Sequence, residues 1–111
     1  MLTEDEEQKL FVEWLEYQNI KFSALPMSTF TKSWAVKNRN KAMGVRAGVP
    51  DLMLIIKNIL IFIEMKRTKG GQVSEYQKEW IDRLNKCDGV SAYVCYGFDE
   101  AKKVVEKYLC A

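Results

Sequence analysis

The chain has 111 residues, 48% of them apolar and 29% charged, a globular balance with room for one compact domain and not for two. Its net charge of only +2 gives no global signal for nucleic acid, and the absence of histidine excludes Ser-His-Asp and Cys-His catalysis and histidine metal sites. Any chemistry must therefore come from carboxylates and lysines, a donor set that prefers hard cations such as Mg²⁺ or Mn²⁺.

Other negative features narrow the reading further. No run approaches the roughly 20 apolar residues of a membrane span. The acidic start, Glu4 to Glu7, is unlike a secretory leader, so a soluble, cytoplasmic protein is expected. Cys87, Cys95 and Cys110 have no CxxC spacing and are expected to be reduced, mostly buried apolar side chains, not a disulfide framework or zinc site.

In chain order, Thr3 with Glu6 reads as a capping box, and Leu10, Phe11, Trp14 and Leu15 recur at helical spacing, so a helix should run to about Gln18-Asn19. Ile20 to Leu25 reads as a short strand stopped by Pro26. Residues 27–48 show no convincing period and are expected to form a long functional or partly disordered loop. This stretch carries Lys32, Lys37, Arg39, Lys41 and Arg46, with no acid between Lys21 and Asp51. Such a segment either meets phosphates or is simply solvated, and the sequence leaves both readings open.

Leu52–Ile56 and Ile59–Ile63 are apolar runs around Lys57-Asn58, the pattern of a β-hairpin of central strands. After a break at Thr68–Gly71, Ser74 and Gln77 suggest a second capping box. Tyr76, Trp80, Ile81 and Leu84 supply the following helix's apolar face, with Trp80 assigned to the core and an end near Asp88-Gly89. Val90–Tyr96 reads as a strand, and Asp99 as the cap of a last helix. The expected order is αβββαβα, one α/β domain over residues 1–111 with a mixed central sheet flanked by helices.

The hairpin places chemistry. Asp51 precedes its first strand, while Glu64 and Lys66 end its second, so the turn brings Asp51 beside Glu64. Strand alternation then puts Glu64 and Lys66 on one face and Met65 on the other. Two carboxylates and a lysine emerging from apolar strands are costly unless compensated. A divalent cation offsets the repulsion and activates water, and the lysine orients or deprotonates that water or neutralises developing phosphate charge.

These residues resemble the PD-(D/E)XK nucleases, and more narrowly the VRR-NUC (virus-type replication-repair nuclease) branch. The resemblance rests on Glu7-Gln8 in the first helix, Gly48-Val49-Pro50-Asp51-Leu52, Glu64-Met65-Lys66, and Gln77-Lys78-Glu79-Trp80, in order over nearly the whole chain. It implies a restriction-endonuclease-like core and metal-dependent hydrolysis of DNA phosphodiesters. Asp51, Glu64 and the Met65 carbonyl would be metal ligands, with Lys66 as the catalytic lysine.

The resemblance assigns the helix-one glutamate to Glu7, with Glu4 in reserve, against a plain preference for acids at a helix N-terminus. It gives Gln77 a role in positioning water or phosphate, against its capping role. Arg39, Lys41, Arg46 and Lys69 are expected to touch DNA phosphates, contacts that give affinity and not sequence preference. Without a helix-turn-helix, recognition should be of structure. Minimal members of the branch, common in phage genomes, resemble Holliday-junction resolvases, which implies a homodimer with two active sites on branched DNA and no nucleotide cofactor. Two rivals remain: a DNA-binding or recruitment module without turnover, and a nuclease subunit active only with a helicase or other partner.

Overall fold

A computed structural model describes residues 1–25 and 33–110. Helix α1 (Glu4–Tyr17) starts at the expected capping box, with Thr3 Oγ1 accepting from the Glu6 N–H and the Glu6 carboxylate accepting from the Thr3 N–H. Strand β1 (Lys21–Ala24) follows, and then helix α2 (Trp34–Ala42), β2 (Leu52–Ile56), β3 (Ile59–Lys66), α3 (Glu75–Asn85), β4 (Val90–Tyr96) and α4 (Phe98–Cys110). Pro26 and Lys32 lie outside the described residues.

The order is αβαββαβα, correcting the expected αβββαβα by one helix. Helix α2 occupies part of the stretch read as a loop. It buries none of its residues, so it leaves no apolar period in the sequence. What forms it is local: Ser33 Oγ accepts from the Val36 N–H, Ala35, Lys37, Arg39, Lys41 and Ala42 are good helix formers, and Arg39 and Lys41 sit in its last turn.

The sheet order is β1-β2-β3-β4, antiparallel through the first three strands and parallel between β3 and β4, with α3 as the crossover. The core lies on one face, where Leu52, Leu54, Ile61, Ile63 and Met65 meet Phe11 and Leu15 of α1 and Ala101 and Val105 of α4. Helix α3 packs on β4, and Asn85 exchanges two hydrogen bonds with the backbone of Ala92. Helix α3 ends at Asn85 with Lys86 as its C-cap, a little before the expected Asp88-Gly89.

Three further expectations are corrected. Only Cys95 is buried, while Cys87 and Cys110 are exposed. Trp80 lies outside the core cluster and is half-buried; its indole N–H reaches the Ala47 carbonyl at 3.2 Å. Asp99 lies within α4, which begins at Phe98, and the Phe98 N–H is satisfied by the Glu7 carboxylate of α1 at 2.9 Å.

Candidate metal centre

Register makes the site. Leu52 pairs with Ile63, and one step outward Asp51 lies against the end of β3, where its Oδ2 accepts from the Met65 N–H at 2.7 Å. A strand residue's N–H and C=O face the same neighbouring strand, so the Met65 carbonyl is turned towards the edge that Asp51 occupies. Alternation sends Met65 into the apolar core and Glu64 and Lys66 to the opposite face.

The approach of Asp51 depends on Gly48. It has φ +94°, and a Cβ there would stand 2.5 Å from the backbone carbon of Tyr76 and 2.8 Å from the Gln77 N. Only a residue without a side chain lets this loop lie on the first turn of α3.

One carboxylate oxygen each from Glu4, Asp51 and Glu64 lie within 4.8 Å of one another. The helix-one member is thus Glu4, the reserve choice. Glu7 is buried with Phe11 and Leu15, the same stripe of α1, and its carboxylate faces the start of α4, not this cluster. Gln77 makes the capping contact and also reaches the cluster. Its Oε1 accepts from the Ser74 N–H in the capping box, while its Nε2 donates to Glu64 Oε2 at 3.0 Å. Lys66 Nζ lies 3.7 Å from Glu64 Oε2, and both side chains are almost wholly buried.

Burial pushes the carboxyls of Glu4 and Asp51 above their ordinary range. Glu64 rises to about 8, through burial and the neighbouring Asp51 charge, with Lys66 opposing. Glu64 Oε1 is buried with no hydrogen-bond partner among the described residues. An orphaned carboxylate oxygen beside two more acids is costly as it stands, and a hard divalent cation satisfies it. The donor set therefore fits such an ion.

A cleft of about 440 Å³ lies beside this cluster and meets it at Glu4 and Lys66, with Thr3, Arg67, Gly70 and Gly71 also on its border. Arg67 is a cation at its mouth that the sequence reading passed over, although it directly follows Glu64-Met65-Lys66. Lys69 is exposed close by in the same loop. Lys37, Lys41 and Arg46 border a second groove, between α2 and α3, whereas exposed Arg39 is not part of its wall.

The model of the VRR-NUC domain matches residues 2–99. The chain belongs to the VRR-NUC domain family. A solved structure described as a VRR_NUC domain protein is similar to this VRR-NUC chain, with 30% sequence identity and a TM-score of 0.81, over 98% of this chain and 89% of the other. Among curated protein sequences nothing matches. The family is of nuclease type, and the mixed α/β architecture, a four-stranded mixed sheet with four helices among the described residues, agrees with it. No described helix is long and apolar enough to cross a membrane.

Proposed function

We propose that this VRR-NUC chain is a metal-dependent DNA endonuclease with a PD-(D/E)XK core, one domain over residues 1–111, that acts on branched DNA as a homodimer in the cytoplasm. The observation that carries the reading is the convergence of Glu4, Asp51 and Glu64, with a buried Glu64 oxygen that has no partner among the described residues, beside buried Lys66.

Asp51 and Glu64 are the proposed ligands, with Glu4 and the Met65 carbonyl at the same edge. Bound there, Mg²⁺ or Mn²⁺ would supply Lewis acidity to the phosphoryl oxygen and lower the pKa of an attacking water. The protein's own part is positioning. The Met65 N–H fixes the Asp51 carboxylate, and the Gln77 amide holds Glu64 in one orientation. Lys66 brings a positive charge to the point where the phosphate gains negative charge, and its ammonium can hold the nucleophilic water by hydrogen bonding. Glu7 is assigned to the scaffold. Arg46, Lys41, Lys69 and Arg39 provide phosphate affinity, with Arg67 joining them at the cleft mouth.

The test is cleavage of labelled four-way junction, flap, single-stranded and linear duplex DNA with Mg²⁺ or Mn²⁺, native protein beside Lys66→Ala. Native protein should cut, and the variant should lose about 10²- to 10⁴-fold in rate. Paired symmetric cuts in the junction, with a dimer in sedimentation, support the resolvase reading. Equal cutting by both proteins would show that Lys66 is not the catalytic lysine. Binding of branched DNA without cutting would favour a module without turnover, and activity restored by cell extract would favour a subunit awaiting a helicase partner.

A further inference from the structure

The groove between α2 and α3 is separate from the acidic cluster and has a chemistry of its own. It measures about 800 Å³, within the range of about 300–1,000 Å³ usual for ligand pockets. One wall carries Lys37 and Lys41, one helical turn apart on α2, and Arg46 on the loop that follows; among the described residues Glu79 is the one acid in the lining. The other wall carries Tyr76 and Trp80, also one turn apart and hence on the same side of α3. Tyr76 is 66% exposed, so its ring is accessible from the groove it lines. The Trp80 indole is fixed by its hydrogen bond to the Ala47 carbonyl, so part of its ring forms a set wall. The groove also adjoins the candidate centre. Gly48, Val49 and Pro50 lead from its Ala47 wall to Asp51, and Gln77, next to Tyr76, touches Glu64.

Cations alone would suit any phosphate backbone. Aromatic faces add a selection, because a base stacks on a side chain only when it is not already stacked in a duplex. We propose that this groove holds an unpaired strand of DNA next to the scissile phosphate, with a base stacked on Tyr76 beside Trp80 and its phosphates on Lys37, Lys41 and Arg46. The inference rests on the nuclease reading and sharpens it: the preferred substrate carries single-stranded character beside the cut, as a flap or an opened branch point does. A second copy of this chain is the competing occupant, but three cations facing one acid suit a polyanion better than an identical surface.

The test is anisotropy of a labelled oligothymidylate of about ten nucleotides, a length within the usual range for single-strand sites, in EDTA so that no cleavage intervenes. The same backbone with abasic sites and a duplex of equal length serve as comparisons. Native protein should bind the oligothymidylate, and Tyr76→Ala should weaken that binding about tenfold or more. Binding of the abasic strand and of the duplex should be unchanged by the substitution. Because Tyr76 is mostly exposed, the variant should keep the native melting temperature. The proposal is overturned if native protein does not bind the strand, or if Tyr76→Ala binds every DNA as native does. It is also overturned if the variant weakens all three equally, or if it dissociates a dimer while leaving strand binding intact. Strand binding in EDTA with no cleavage in Mg²⁺ would sink the nuclease reading and leave the groove standing.

Discussion

The β2–β3 hairpin and helix α2 make opposite use of the chain. In the hairpin, Leu52, Leu54, Ile61, Ile63 and Met65 have no exposed surface, and Glu64 and Lys66 have almost none. In α2 no residue is buried, and Trp34 and the C-cap Met43 are about three-quarters exposed. The hairpin places charged groups by the packing of everything behind them, which fixes positions to fractions of an ångström. The surface helix is held by its caps and backbone and presents cations without fixing them. Catalytic geometry needs the first arrangement. Contact with a long, variable polyanion tolerates the second.

The largest break in that comparison should come from Gly48→Ala. The added Cβ meets the α3 backbone and the residue keeps a left-handed φ, so relief requires moving the loop that carries Asp51. We expect a loss of roughly 2–3 kcal/mol, a fall in melting temperature of roughly 10 °C or more, and loss of cleavage. An unchanged melting temperature would mean that the loop does not depend on this close approach.

A smaller effect should appear in pH. Folding raises the Glu64 carboxyl from 4.5 to about 8, so across that window the folded chain keeps a proton that the unfolded chain releases. Stability of the metal-free protein is therefore fully present below the lower value and falls as pH rises through the upper one. Glu64→Gln should flatten this slope, leaving the smaller part from Glu4 and Asp51, and raise the metal-free melting temperature at pH 8 by roughly 4 °C or more, equivalent to about 1 kcal/mol. Mg²⁺ should stabilise native protein at pH 8 and leave the variant nearly unmoved. A melting temperature that rises from pH 5 to 8 without metal would contradict the strained carboxylates.

The smallest effect separates the two helix caps. Thr3→Ala removes the cap of a helix packed into the core and should cost about 1 kcal/mol globally. Ser33→Ala should leave the melting temperature within about 1 °C and only speed amide hydrogen exchange in α2, because that helix opens without unfolding the rest. Equal protection of α2 and β3 amides would erase the distinction.

What could be read from the sequence follows the same line. Both capping boxes and the hairpin strands were legible, as was the approach of Asp51 to Glu64, because burial imposes period and register on the residue order. Helix α2 was not, since a helix that buries nothing needs only a cap and good helix formers, and periodicity cannot report them. Glu7 and Glu4 were hard to separate, because an acid on the core-facing side of a helix announces burial but not its partner. That partner, the Phe98 N–H, lies 91 residues away. Trp80 was read as core from its helical spacing, yet the spacing of an apolar face says nothing about how completely that face is covered.

The contact between Glu7 and Phe98 also sets the phase of α1. Glu4 precedes Glu7 by three residues, about 4.5 Å of rise and about 300° of rotation. With Glu7 anchored to the start of α4, those two values determine where the Glu4 carboxylate arrives. Deleting Asp5 would leave the anchor in place and swing the preceding residue by about 100°, away from Asp51 and Glu64. Replacing Asp5 by another residue would leave the angle as it is. In this acidic run the number of residues between the two glutamates matters more than the charge of the one that fills the gap.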